Sequence, residues 1–169
     1  MTPPLILTLA LDPASQAFFE RERQRWFPPK LNFIPAHVTL FHHLPGDGLA
    51  RILADVERLC ATQTPAPFTT TGLRFLGRGT AYTLAAPGAS AFRASLAALW
   101  AADLTAQDRQ AWRPHVTVQN KADPAEARSL HARLLADFSP FDGLATGVRI
   151  WHYLNGPWES EAEILFTGN

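Results

Sequence analysis

The sequence predicts a duplicated α+β fold: one compact unit of two lobes that each run β-α-β-α-β around a central cleft. Three observations carry that expectation. The tetrapeptide His37-Val38-Thr39-Leu40 returns as His115-Val116-Thr117-Val118, 78 positions later (115 minus 37) in a chain of 169 residues. Apolar residues alternate with a period of two around both copies and follow a helical period between them. The order of strands and helices then restarts midway, and internal self-similarity of this kind marks a repeated structural unit.

Taken in order, residues 5–11 are apolar and predict a strand, and 13–25 predict a helix with Pro13 in its first turn, where proline is tolerated. A Trp-Phe-Pro-Pro stretch ends that helix. Residues 34–43 predict the strand that carries the first motif, Pro45-Gly46-Asp47-Gly48 a turn, and 49–61 an amphipathic helix. Residues 68–76 close the first half as a strand. The second half predicts a strand at 82–86, a helix at 89–104, the second motif strand at 114–120, a helix at 124–138 and a strand at 144–154. Pro13 corresponds to Pro87, Asp47 to Asp123, Phe68 to Phe141 and Arg74 to Arg149. Gly77-Arg78-Gly79 is the expected joint, so lobe one covers about 1–78 and lobe two about 79–169 of a single domain spanning 1–169. Residues 158–166 add a final strand with no partner in the first half.

Apolar residues make up 47% of the chain and charged residues 18%, which supports a well-buried core and argues against disorder. Fifteen basic and fifteen acidic side chains cancel. With no global field to hold a long polyanion, any nucleic-acid substrate must be gripped locally. The lone Cys60 sits in the apolar stripe of a helix with Ile52, Leu53, Val56 and Leu59, and reads as a small buried residue. The start is apolar but short, lacks a basic region and runs into Asp12-Pro13, so neither a signal peptide nor a membrane span is expected, and the expected location is cytoplasmic. No protein partner is indicated.

Side chains alternate across a strand, so His37 and Thr39 share a face while Val38 and Leu40 share the other. The same holds for His115 and Thr117. Helices must bury their apolar stripes against the sheet, which assigns the valines to the core and turns His37, Thr39, Phe41 and His43, with His115, Thr117, Gln119 and Lys121, toward a cleft. Alternation along the last strand of each half points Arg74, Leu76, Arg149, Trp151 and Tyr153 the same way, and puts Leu73, Phe75, Val148 and Ile150 in the core. Two imidazoles and two hydroxyls around one small space suit a phosphate that needs an acid and a base. Arg74, Arg113, Lys121 and Arg149 are candidate cations for its charge.

The paired H-x-T-x motifs, the first within Phe27-Pro28-Pro29-Lys30-Leu31-Asn32-Phe33-Ile34-Pro35-Ala36-His37-Val38-Thr39-Leu40, resemble those of the two-histidine (2H) phosphoesterase superfamily, whose members are often labelled 2′-5′ RNA ligase or cyclic phosphodiesterase. The resemblance covers nearly the whole chain. It implies a bilobal fold with concave antiparallel sheets, no metal or other cofactor, and hydrolysis or transfer at 2′,3′-cyclic phosphate ends or 2′-5′ phosphodiester linkages of RNA or nucleotides. It further implies acid and base roles for His37 and His115, and phosphate-oxygen contacts for Thr39 and Thr117. Where relatives carry Phe-Leu-Gly after the first motif, this chain reads Phe41-His42-His43-Leu44-Pro45-Gly46.

Other residues admit plainer readings. His42, His43 and Asp47 lack the spacing of a zinc site, and no metal is expected. His131 and His152 read as structural. Arg21, Arg23 and Arg25, with Lys30 beyond them, could guide an RNA end toward the cleft, but interleaved with Glu20 and Glu22 they read first as a solvated helix face. Phe41 and Trp151 are candidate base-stacking groups, with core or rim packing as the alternative. At the level of function, the alternative to a phosphodiesterase is a non-catalytic protein that binds a nucleotide or RNA end in the same cleft.

Overall fold

The computed structural model describes residues 2–169. Among them the elements run β1 (Leu5–Leu11), α1 (Pro13–Trp26), β2 (Thr39–Leu44), α2 (Leu49–Cys60), β3 (Ala66–Phe75), β4 (Thr80–Ala85), α3 (Pro87–Leu99), β5 (His115–Gln119), α4 (Pro124–Asp137), β6 (Asp142–Tyr153) and β7 (Trp158–Leu165). The double β-α-β-α-β order is present, with β7 added at its end. α1 and α4 start alike: Asp12 accepts from Ser15 N–H and Asp123 from Ala125 and Glu126 N–H, each carboxylate followed by a proline at the first helical position. Such caps each contribute about 1 kcal/mol.

The strands form one antiparallel sheet in the order β2-β1-β6-β3-β4-β5, with β7 also on β6. β6 is the spine. Opposite β1, its neighbour is β3 over Asp142–Ala145 and β7 over Gly147–Tyr153, so the sheet parts there into a β2-β1-β6-β7 wing and a β3-β4-β5 wing. These wings do not divide the chain at residue 78. All seven residues of β1 are buried, and a strand so enclosed needs neighbours on both edges for its backbone N–H and C=O groups. β1 takes β6 from the second half as one of them, while β3 leaves to pair with β4.

One apolar core lies between sheet and helices. Leu5, Leu7, Val38, Leu40, Val116, Val118, Val148 and Ile150 meet Phe19, Ile52, Val56, Leu96 and Leu130 there. Cys60 belongs to it, and burial pushes its thiol up to about 12. Phe75, expected in the core, is exposed at the end of β3 and packs on the His131 ring at 5.4 Å.

Two departures from simple alternation shape the cleft. The β1–β2 register slips between Leu5 and Leu7 and again between Leu7 and Thr8. Bulges of this kind add a residue and re-aim the side chains beyond it. As a result Leu40 and Phe41 both enter the core, and His42 turns outward. Secondly, α3 stops at Leu99, short of the predicted Leu104, because Trp100 drops into the core with its indole N–H donating to Asp55 (2.9 Å). Residues 100–114 then cross the mouth of the cleft as an irregular strap.

Candidate active site

Strand register brings the two motifs into matching positions. In one wing Gly72, Thr83 and His115 form a cross-strand row, followed by Arg74, Ala81 and Thr117. In the other, Thr39, Thr8 and Arg149 form a row. One step along, Leu9 N–H donates to Val38 O (2.9 Å), which sets His37 beside Ala10 and its partner Gly147. Residues in one row project from the same face. Each histidine row thus contains a glycine on a neighbouring strand, Gly72 or Gly147, and each threonine row an arginine, Arg74 or Arg149.

The imidazoles are held in the same way. His37 Nδ1 lies 2.8 Å from Pro35 O, and His115 Nδ1 lies 2.8 Å from Arg113 O. A carbonyl oxygen only accepts, so Nδ1 carries the proton in each ring and Nε2 is the bare nitrogen of the neutral form. The tethers come from Pro35-Ala36-His37 and Arg113-Pro114-His115. Arg74 stands against His115, with one guanidinium nitrogen 3.1 Å from Nδ1 and 3.4 Å from Nε2. With Nδ1–H committed to Arg113, the lone pair open to that guanidinium is the one on Nε2.

Their electrostatics differ. Burial pushes His37 down to about 4, opposed by its bond to Pro35 and reinforced by the positive charge of Arg23, His115 and His42. Its half-buried ring packs on the Trp158 ring at 4.7 Å. The Arg23 behind it is 3% exposed and donates to Thr117 O (2.9 Å) and Asn32 Oδ1 (3.1 Å), which corrects the reading of that arginine as part of a solvated face. His115 is also pushed down, by burial first and then by Arg74 and His42.

A cavity of about 410 Å³ opens between the wings. Thr39, Arg74 and His115 line it from the sheet, His42 from the end of β2, and Gln107, Gln110, Trp112 and Arg113 from the strap. His37 and Thr117 are outside its lining. Thr117 shares a row with Arg74, and His37 is near enough for its charge to couple to those of His115 and His42.

Several candidate contacts are corrected. Phe41 is fully buried, its ring packed on Trp100 (5.2 Å) and under the Arg93 guanidinium (4.6 Å), because the β2 bulge turns it to the core. Trp151 faces the cleft side but is 9% exposed, its indole N–H donating to Thr8 Oγ1 (3.0 Å) and its ring against Trp158, so no face is open for a base. Arg149 occupies the predicted row, yet its guanidinium lies 3.7 Å from Glu163 on β7. Lys121 sits past the end of β5 with φ of 59°, exposed and outside the cavity lining. Gln119 is buried and lines a different cavity with Trp26 and Arg133, because the β4–β5 register slips between Thr80 and Ala81.

Besides the strap residues Gln107, Gln110 and Trp112, the sequence reading missed as site groups His42, Trp158 and Asp108, whose carboxylate lies 2.8 Å from the His42 ring. The doubled histidine after the first motif was a visible signal for His42. Asp108 and Trp158 had none, since their positions depend on the strap and on β7.

The sequence profile of the 2′-5′ RNA ligase superfamily, a 2H phosphoesterase family, matches residues 11–157. The chain belongs to that superfamily. Among solved structures, this 2H chain is similar to TT0787 of Thermus thermophilus (17% identity, TM-score 0.65, covering 98% of this chain and 99% of that one). It is also similar to E. coli LigT complexed with 3'-AMP (15%, TM-score 0.65, 99% of each chain) and to a phosphoesterase (15%, TM-score 0.63, 99% of each). At these identities the likeness establishes the fold. No curated protein sequence matches the chain. No helix of the described residues is long and apolar enough to cross a membrane.

Proposed function

We propose that this 2H protein is a phosphodiesterase that opens 2′,3′-cyclic phosphate ends, or cleaves 2′-5′ phosphodiester linkages, of RNA or nucleotides by acid and base catalysis from His37 and His115. The observation that carries this reading is the duplicated tether: two imidazoles from related rows, each with Nδ1–H on the carbonyl two residues upstream, which leaves Nε2 as the nitrogen that can exchange a proton.

Breaking a cyclic phosphate requires a proton to leave the attacking water and another to reach the departing ribose oxygen on the far side of phosphorus. His37, held neutral down to about 4, is the base: its Nε2 takes the proton of the water as the oxygen–phosphorus bond forms. His115 is the acid: its Nε2–H is delivered to the ribose oxygen as that bond breaks, leaving a phosphomonoester. In the free protein Arg74 discourages the proton on His115. A bound phosphate offsets that guanidinium with its own negative charge, and His115 is loaded when substrate arrives. Thr39 and Thr117 hydroxyls donate to the non-bridging oxygens, and Arg74 neutralises charge that grows in the transition state. The acid and base together supply roughly a hundredfold to ten-thousandfold. Ligation is the reverse of 2′-5′ cleavage: a 5′-hydroxyl takes the place of water, loses its proton to the base and attacks the cyclic phosphate, and the departing ribose oxygen takes the proton of the acid as the 2′-5′ diester forms.

The test is turnover of 2′,3′-cyclic nucleotides by purified protein in EDTA, beside the His37→Ala, His115→Ala double variant, with the position of the product phosphate identified. Turnover by the wild type alone supports the mechanism. Binding of a cyclic-phosphate oligonucleotide without turnover would mean a non-catalytic nucleotide- or RNA-end-binding protein instead.

A further inference from the structure

The cavity contains a third tethered imidazole that the H-x-T motifs do not account for. The β2 bulge turns His42 outward, and its side chain, 40% exposed, lines the cavity with Thr39 and His115. Its Nδ1 lies 2.8 Å from Oδ1 of Asp108, whose side chain is fully buried.

Asp108 belongs to the strap, and everything around it fixes His42. Its carboxylate also accepts the backbone N–H groups of His42 (2.9 Å) and His43 (3.1 Å). Buried Arg93 ties the same two segments, donating to Leu40 O (2.7 Å) and Asp108 O (2.8 Å). Burial alone would raise the Asp108 carboxyl, but the His42 ring and these two N–H groups hold it below its ordinary value. A buried carboxylate with four hydrogen-bonding contacts from one residue and its neighbour is a mount for that residue. It has the form of the aspartate that orients an imidazole and stabilises its protonated form in hydrolytic triads.

A carboxylate only accepts, so Nδ1–H is committed to Asp108 and Nε2 is the free nitrogen. The ring then donates from Nε2 only as the imidazolium. The other charged or titratable groups around it are Arg93 behind, Arg74, Arg113 and His115 in the cavity lining, and His37 beyond that lining. Asp108 is the sole acid among the lining residues, and its oxygens are occupied. The open part of the cavity therefore selects an anion.

We propose that His42, oriented by Asp108, is a third substrate-contacting histidine, whose imidazolium donates from Nε2 to a non-bridging phosphate oxygen while His37 and His115 move protons. This deepens the phosphodiesterase reading and rests on it for the identity of the substrate. His42 binds and does not transfer a proton, so its loss should raise KM more than it lowers kcat. Asp108 is its positioning residue.

The probe is inorganic phosphate, whose binding is measured by calorimetry on the wild type, His42→Gln, His42→Phe, Asp108→Asn and the His42→Gln, Asp108→Asn pair. Both His42 variants should bind about tenfold more weakly or worse, the effect of one charge-assisted hydrogen bond. Asp108→Asn should show a similar loss, and the pair should be no weaker than either alone, since the carboxylate acts through the ring. On the wild type, nitrogen-15 spectra should show the His42 ring reaching the imidazolium pattern as phosphate saturates. That measurement needs no variant and stands even if Asp108→Asn fails to fold. Unchanged phosphate affinity in both His42 variants, or a His42 ring that stays neutral at saturation, overturns the proposal. If phosphate binding depends on His42 and no diester is turned over, the phosphodiesterase reading falls and the phosphate contact stands. With turnover intact and His42→Gln indistinguishable from wild type in KM, the converse holds.

Discussion

The two halves of the motif pair are alike in backbone and unlike in surroundings. His37 and His115 share tether, register and a following threonine, yet His37 packs against Trp158 with its charge suppressed to about 4, while His115 stands beside Arg74 at the cavity wall. The difference originates in β7, which pairs with β6 and brings Trp158 over the first histidine. A duplicated sequence thus supplies two equal nitrogens, and one unduplicated strand makes them unequal. That inequality is what a reaction with separate acid and base needs.

The largest test removes each nitrogen in turn. His37→Ala and His115→Ala should each lower turnover of a 2′,3′-cyclic nucleotide by about a hundredfold to ten-thousandfold with the circular dichroism spectrum unchanged; near-normal rates in both would break the pairing. Next comes the cation. Arg74→Gln should lower kcat/KM about tenfold or more, because a charged contact to the phosphate that strengthens in the transition state is lost. It should also raise the pKa of His115, moving the alkaline limb of the bell-shaped kcat/KM profile to higher pH. Trp158→Ala acts on the other limb. Uncovering His37 lets its pKa climb from about 4 toward its ordinary value, so the acid limb should move to higher pH. If Trp158→Ala moves the alkaline limb and Arg74→Gln the acid one, the acid and base assignments are reversed.

How much of this was legible in the sequence depends on the range of the interactions involved. The motif spacing, the element order and the Asp-Pro starts of α1 and α4 are local patterns, and the structure contains them. Register slips are not local. Whether Phe41 or His42 faces the cleft is decided by how β2 meets β1, and simple alternation chose the wrong one. Gln119 was misplaced by a similar slip against β4. The division of wings turned on β6, whose two neighbours on one edge come from distant parts of the chain. Asp108 depends on an irregular strap, for which no periodicity exists to read. Arg23 was misread because its charge pattern is that of an exposed helix, whereas its contacts are to Asn32 and to a strand of the other half.

The same comparison predicts unequal effects at the two glycines of the histidine rows. A Cβ on Gly72 would meet only Thr83 Oγ1 at 3.7 Å, whereas on Gly147 it would lie 2.3 Å from the β7 carbonyl of Ile164. Gly147→Ala should therefore cost about 1–3 kcal/mol by overpacking, with Gly72→Ala within about 0.5 kcal/mol of wild type, both read from urea unfolding. Equal effects would mean that β7 does not constrain the first wing as it does here.

The smallest effect at neutral pH grows as the solution is acidified. His37 has a lowered folded pKa, so between its unfolded value near 6.5 and its folded value of about 4 the unfolded chain binds more protons. Stability should accordingly fall as pH drops through that window, by up to about 3 kcal/mol from this group, and show no contribution from it above pH 7. His37→Gln should flatten the loss. His115→Gln should flatten it less, because its ring is the more open of the two and lies on the cavity wall. A pair of equal slopes would show that Trp158 does not separate the two histidines, and the acid and base roles would then have to be assigned by the bound substrate.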